Sequence, residues 1–287
     1  MSESDPDQLL AEMRAEIDRI DASMHSLLME RSKVIDRLIE IKGRQGGGSA
    51  FRPGREAAMM RALLSRHSGL LPLDAVEGIW RIIIATFTHV QARFSVHIEC
   101  PEKNDVAMRD SARFHFGFSV PLVPHQGIRN VIDAVAISTG DLGLVRIDGG
   151  AQAGAWWSKL SAPDAPKIIA RLPVVDRKDH PASLPVFVVS KPLSEAASTE
   201  VMVRAVLIDR WTIGVQESIR MCKGVTLGVE ADGFGLSLLV ETPGDVSTDS
   251  MLAIFSAKGI SDARISEVGS HAAIFEIPNH GDKRSRT

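Results

Sequence analysis

The chain has 287 residues, of which 44% are hydrophobic and 24% charged, with a formal net charge of −3. That length suits two ordinary domains with sizeable cores, and the balance gives no global positive field to recruit nucleic acid or an anionic membrane. Two cysteines, Cys100 and Cys222, exclude a disulfide scaffold and lie too far apart for a local metal knuckle. They read as reduced thiols of a cytoplasmic protein. The N-terminus, Met1 to Asp7, is polar and acidic, unlike a secretory signal. No apolar stretch reaches a membrane-spanning length.

The first element is a long amphipathic helix. Leu10, Met13, Ile17, Ile20, Met24, Leu27, Val34, Leu38 and Ile41 recur in steps of three and four, which is one helical face. It runs to Lys42 or slightly beyond, where Gly46-Gly47-Gly48-Ser49 ends it. Pro53 opens a second, short helix to about Arg66, since its fixed φ suits a first turn. Gly69 and Pro72 mark the next turn. A third helix spans about Leu73 to Val96, with an apolar stripe at Val76, Trp80, Ile83, Phe87 and Phe94 that also carries Gln91.

Polar residues interrupt these apolar seams. Arg31 falls on the stripe of the first helix, where a cation is costly without a partner. A snorkelling surface arginine or a buried ion pair would satisfy it, and so would an anionic ligand. Lys42 follows eleven residues later, nearly three whole turns, so it faces the same way about 16 Å along the axis. Arg55 and Glu56 start the second helix, and Gln91 offers a neutral donor on the third. Three cations, one carboxylate and one amide around an apolar helical interior suit a small, multiply negative molecule with a hydroxyl.

The segments Met13-Arg14-Ala15-Glu16-Ile17-Asp18-Arg19-Ile20-Asp21, Leu28-Met29-Glu30-Arg31, Ile41-Lys42, Arg52-Pro53-Gly54-Arg55-Glu56 and Ile79-Trp80-Arg81-Ile82-Ile83, with the spacing to Gln91, resemble the all-helical class of chorismate mutases over residues 6–97. The resemblance implies a three-helix, all-α domain forming an intertwined dimer. It implies that Arg14 and Arg31 bind the two carboxylates of chorismate and that Lys42 and Gln91 donate to the ether oxygen of the breaking C–O bond. Arg55 would support carboxylate binding, and Glu56 would take the ring hydroxyl. Arg14 lies seventeen residues before Arg31, about 25 Å along a straight helix. It therefore cannot reach the same small ligand from the same chain, which agrees with the family's habit of borrowing an arginine across the homodimer. Such a site needs no cofactor and no metal. The chain departs from the family at Arg52, where an acidic residue is common, and at Phe87, where many members have serine.

Residues 105–278 change texture, alternating short β-rich runs with helical runs and turns. Val131-Ile132-Asp133-Ala134-Val135-Ala136 reads as helix, and Gly140 to Asp148 reads as turn then buried strand. These runs resemble prephenate dehydratase, a two-lobed α/β fold. Arg146, Asp148 and Gly149 replace the family's proline, glutamate and asparagine, and Leu184-Pro185 stands where the family has a catalytic Thr-Arg pair. The domain is therefore expected to be a degenerate dehydratase-like one with a binding, regulatory or structural role. Residues 225–278 fit either its second lobe or a small regulatory βαβ unit. Trp156-Trp157 is expected to be core packing rather than a ligand platform. Gly233-Phe234-Gly235 reads as a turn, because no phosphate-loop pattern follows. His115, His125 and His180 lack metal-ligand spacing. Residues 279–287 read as a disordered tail. Three functions follow: a chorismate mutase with an accessory domain, a bifunctional mutase–dehydratase, or a non-catalytic dimerisation or aromatic-ligand sensing protein.

Overall fold

The computed structural model describes residues 5–44, 51–100, 105–147, 153–177, 179–193, 198–233 and 235–276. The chain divides into two units, residues 1–50 and residues 51–287.

The first unit is one helix, α1 (Pro6–Arg44), 39 residues and about 58 Å long. Asp5 caps its start, its carboxylate accepting from the Asp7 N–H at 3.2 Å. Arg19 donates twice to the Glu16 carboxylate, at 2.9 and 2.7 Å. That pair is exposed and worth only tenths of a kcal/mol. Leu10, Met13, Ile17, Ile20, Met24, Leu27, Val34 and Ile41 are all exposed along one side. A helix takes most of its stability from burying its apolar stripe, so this surface is built for packing. The glycine run at 46–48 lies outside the described residues.

The second unit opens with α2 (Pro53–Arg66) and α3 (Leu73–Gln91). Proline at the first position of α2 agrees with the sequence expectation. The third helix stops at Gln91, short of the expected Val96. Val96 and Ile98 instead sit in β1 (Val96–Glu99), hydrogen-bonded to strands on both sides, where β-branched residues pack well. The buried face of α3 also differs from the expected stripe. It is Glu77, Arg81, Ile84, Ala85, Thr88 and His89, while Val76, Trp80, Ile83 and Phe87 are half-buried. This face approaches α4 (Val106–Phe116): a Cβ on Gly78 would lie 3.8 Å from the Phe114 ring.

After α4 come β2 (Leu122–His125), α5 (Ile128–Ile137), β3 (Leu142–Arg146), a 3-10 turn at Trp156–Leu160, β4 (Lys167–Leu172), β5 (Val175–Asp176) and β6 (Val186–Ser190). Then follow β7 (Val201–Ile208), α6 (Ile213–Met221), β8 (Val225–Asp232), β9 (Gly235–Pro243), α7 (Thr248–Ala257), β10 (Arg264–His271) and β11 (Phe275–Glu276). Among the described residues, nine strands form one sheet in the order β2-β1-β3-β6-β4-β10-β7-β9-β8, and β5 pairs with β11 separately. Strand β1 runs parallel to β2 and β3, and β6 is antiparallel to β3 and β4. Strand β3 reads as a near-continuous apolar run because both its faces are covered. Met108, Ala112 and Phe116 of α4 pack on one face with Val96, Ile98, Leu142 and Leu144. Val131 and Ile132 of α5 pack on the other with Val145, Phe187 and Val189. Gly143 permits that approach, since a Cβ there would fall 2.8 Å from Val131 Cγ1.

Residues 201–271 form a β-α-β-β-α-β unit whose strands lie in the order β10-β7-β9-β8, a split βαβ arrangement. Residues 225–278 thus take a βαβ-type topology together with β7 and α6. Helices α6 and α7 cover one face, burying Val215, Ile219, Met251 and Phe255 against Val206, Ile208, Leu238 and Val240. The other face packs on the tryptophan pair. Trp156 and Trp157 are buried with Val203, Ala205 and Leu239, as core packing predicts, and the Trp157 indole donates to Ser237 Oγ at 2.8 Å. Strand β10 meets β4 in a parallel pairing at Gly269 and Ile168. The expected disordered tail, 279–287, lies outside the described residues.

Candidate active site

The expected site residues fall in both units. On α1, Arg14 is exposed and Arg31 half-buried. Lys42 has helical backbone, and its side chain lies outside the described residues. In the second unit, Arg55 is exposed in the first turn of α2, and Glu56 follows it with a side chain only 13% exposed. Near the end of α3 the Gln91 amide turns back and donates to the Phe87 carbonyl at 3.2 Å. Within the second unit, the carboxylate is therefore placed in the protein interior and its neighbouring cation outside it.

Glu56 has a partner that sequence reading missed. Arg81, from the middle of α3, brings Nη1 to 3.8 Å from Glu56 Oε2 and is itself 3% exposed. The two side chains line a cavity of about 20 Å3 with Thr88, His115, Phe94 and Ala170. That is space for about one water-sized sphere. Burial pushes the Glu56 carboxyl up to about 7, against the opposing pull of Arg81 and a backbone hydrogen bond from Arg52. The group thus changes charge near neutrality, where a carboxyl is most useful for accepting or donating a proton.

Behind Arg81 the polar chain continues. His115, on α4, is 3% exposed, and its pKa is lowered well below the usual value by burial and then by the charge of Arg81 and by His180. It stays neutral there. Its ring stacks on His180 at 6.2 Å. The Ala182 N–H donates to His180 Nδ1 at 2.9 Å, so His180 carries its proton on Nε2 and donates to Glu77 Oε2 at 3.2 Å. Arg177 pairs with Asp74, and its Nη2 lies 4.0 Å from Glu77. The signal for this cluster was in the sequence. Glu77 and Arg81 are four residues apart, hence on one face of α3, and Ala85 and Thr88 continue that face.

A second polar chain lies beside α5. His97 Nδ1 is 2.7 Å from His125 Nε2, and His97 Nε2 is 3.1 Å from Asp141, whose other oxygen accepts from the Ser95 N–H at 2.8 Å. Arg146, which replaces the dehydratase proline, is ion-paired with Asp105 at the start of α4. Among the described residues, no three His, Cys, Asp or Glu side chains are grouped as a metal site. No helix of the described residues is long and apolar enough to cross a membrane.

Comparison with known proteins places these observations. A bifunctional chorismate mutase/prephenate dehydratase of Aquifex aeolicus is 31% identical over 143 residues, covering 48% of this chain and 39% of that protein. The enzyme of the same description from Pseudomonas aeruginosa is 28% identical over 149 residues, covering 50% of this chain and 40% of its own. The matches thus span well under two thirds of the length of these relatives. Among solved structures, prephenate dehydratase from Streptococcus mutans aligns with a TM-score of 0.42 at 10% identity, covering 64% of this chain and all of that one. The chorismate mutase type II family matches residues 13–92, the stretch that holds Arg14, Arg31, Lys42, Arg55, Glu56 and Gln91. Over those residues the chain carries a chorismate mutase type II domain.

Proposed function

We propose that the chain converts chorismate to prephenate, as a cytoplasmic homodimer whose α/β part is an accessory or regulatory domain. The mutase domain occupies residues 6–97, and the α/β domain occupies 105–278 with β1 added to its sheet. The observation that carries the reading is the family match over 13–92, with every expected cation, the carboxylate and the amide present in order. Arg31, with Arg14 from the partner subunit, binds the two carboxylates, and Arg55 supports them. Glu56 accepts from the ring hydroxyl.

The rearrangement is unimolecular: one C–O bond breaks as one C–C bond forms within the same molecule. The protein must hold the reactive conformer and meet the charge that develops on the ether oxygen. Lys42 and Gln91 donate to that oxygen. Their contribution grows in the transition state, so they act on kcat, while the arginines act on both states and set affinity.

The test is turnover of chorismate by the purified chain. Loss of chorismate with accumulation of prephenate supports the mutase. No turnover at micromolar enzyme sinks it and leaves a dimerisation or sensing module. A second reading, mutase plus dehydratase, has support from the curated relatives, whose description names both activities. Formation of phenylpyruvate in the same assay would establish it. Leu184-Pro185, where the dehydratase pattern has its Thr-Arg pair, weighs against it.

A further inference from the structure

We propose that Arg81 is the positioning residue for Glu56, fixing the carboxylate that takes the ring hydroxyl and favouring its charged form. The inference rests on the mutase reading and extends it by a residue outside the family's site pattern.

The geometry is specific. Arg81 is buried in the middle of α3, and its nearest carboxylate is Glu56, 3.8 Å away on α2. A guanidinium at that depth is costly unless an anion faces it. Its Nε and Nη2 make no hydrogen bond among the described residues, so the pairing with Glu56 is the contact that justifies its place. The groups facing Glu56 across the cavity are few. Helix α3 offers Arg81 and the Thr88 hydroxyl, and α4 offers His115. Strand β4 offers only Ala170 and Leu172, Phe51 lies two residues before α2, and between them Arg52, half-buried, bonds Glu56 through its backbone. His115 is held neutral, so Arg81 supplies the positive charge opposing the burial of Glu56 within this unit.

Burial alone would protonate Glu56, and Arg81 opposes that. Ionised Glu56 accepts a hydrogen bond from a hydroxyl more strongly than the protonated group does. Turnover by the wild type should therefore rise through neutral pH. Replacing Arg81 should move that rise upward.

The experiment compares the full-length wild type with Arg81→Met and Arg81→Lys. Expected for Arg81→Met is an alkaline shift of the rise in kcat by about one pH unit or more, with about a fivefold or greater loss at pH 7. Arg81→Lys, which keeps the charge, should shift it less. A purely architectural arginine would lower turnover at every pH and leave the rise where it was, and that result overturns the proposal. Carboxyl 13C titration of Glu56, identified by its loss in Glu56→Gln, reads the same coupling without turnover. If Glu56 titrates at the same pH in wild type, Arg81→Met and Arg81→Lys, the proposal falls, whether or not chorismate reacts. A wild type that turns over no chorismate while Glu56 shifts on loss of Arg81 would instead refute the mutase reading and leave the coupling standing. Should Arg81→Met fail to fold, Arg81→Lys and Arg81→Gln carry both measurements.

Discussion

Removing the ionisable group at position 56 should flatten the pH dependence of folding stability. The carboxyl of Glu56 sits at 4.5 when unhindered and at about 7 in the folded chain. The folded state thus holds its proton more tightly than the unfolded state. For such a group, stability is fullest below pH 4.5, falls as the pH rises, and reaches its floor above about 7. A shift of that size corresponds to about 3 kcal/mol, with little discount for solvent because the side chain is 13% exposed. Between about pH 5 and about pH 8.5 the wild type should lose about 2.5 kcal/mol from this group alone. Glu56→Gln keeps the shape and cannot ionise. Urea unfolding of both proteins at the two pH values, followed by tryptophan fluorescence, measures the difference. The stability gap should swing by about 2.5 kcal/mol toward the variant as the pH rises. Parallel curves for the two proteins would refute the burial argument for Glu56.

Lys42→Ala should lower kcat by two orders of magnitude or so with a modest change in KM, while Arg31→Ala should mainly raise KM; steady-state kinetics separates the two. At chorismate well below KM, mixing Arg14→Ala with Lys42→Ala, each low in kcat/KM, should restore about a quarter of wild-type kcat/KM, because half the exchanged dimers then carry one intact site; no recovery would argue against a shared arginine. Glu241 accepts from Arg171 at 3.0 and 2.9 Å and lies 2.8 Å from His271 Nε2. Glu241→Leu should therefore cost about 1–3 kcal/mol by leaving the half-buried Arg171 guanidinium and the buried His271 ring without their partner, read by denaturant midpoint. Gly228→Val should lower the melting temperature, since even a Cβ there lies 3.0 Å from the Trp157 ring; an unchanged midpoint would mean that the ring moves freely.

Much of the helical half was legible. Apolar steps of three and four marked α1, and Pro53 and Arg66 bounded α2 as expected, because local chemistry decides those ends. The end of α3 was not legible. Phe87 to Val96 can be written as helix, and only the pairing of Val96 with Leu122 and Leu142 makes it a strand. That pairing is long-range and leaves no local trace. The same holds for the site. Residue types and order marked Glu56, but its depth and its partner Arg81 depend on how α2, α3 and α4 meet. The stripe expected on α3 was chosen for apolarity, and the face buried in this unit carries Glu77 and Arg81 instead. Charged residues are rarely expected inside, so the hydrophobic rule did not mark this second face.

Strands β4 and β10 join at a narrow seam. Gly269 of β10 lies against Ile168 of β4, and a Cβ there would fall 2.1 Å from the Ile168 carbonyl oxygen, at a φ of +148° that side chains rarely adopt. Any larger residue would act as a wedge at the β4–β10 contact, and it would disturb the core that both sides share through Trp156, Trp157, Ile168 and Val268. Position 269 is thus a keystone: the absence of a side chain there lets strands from the two ends of the sheet close on a common interior.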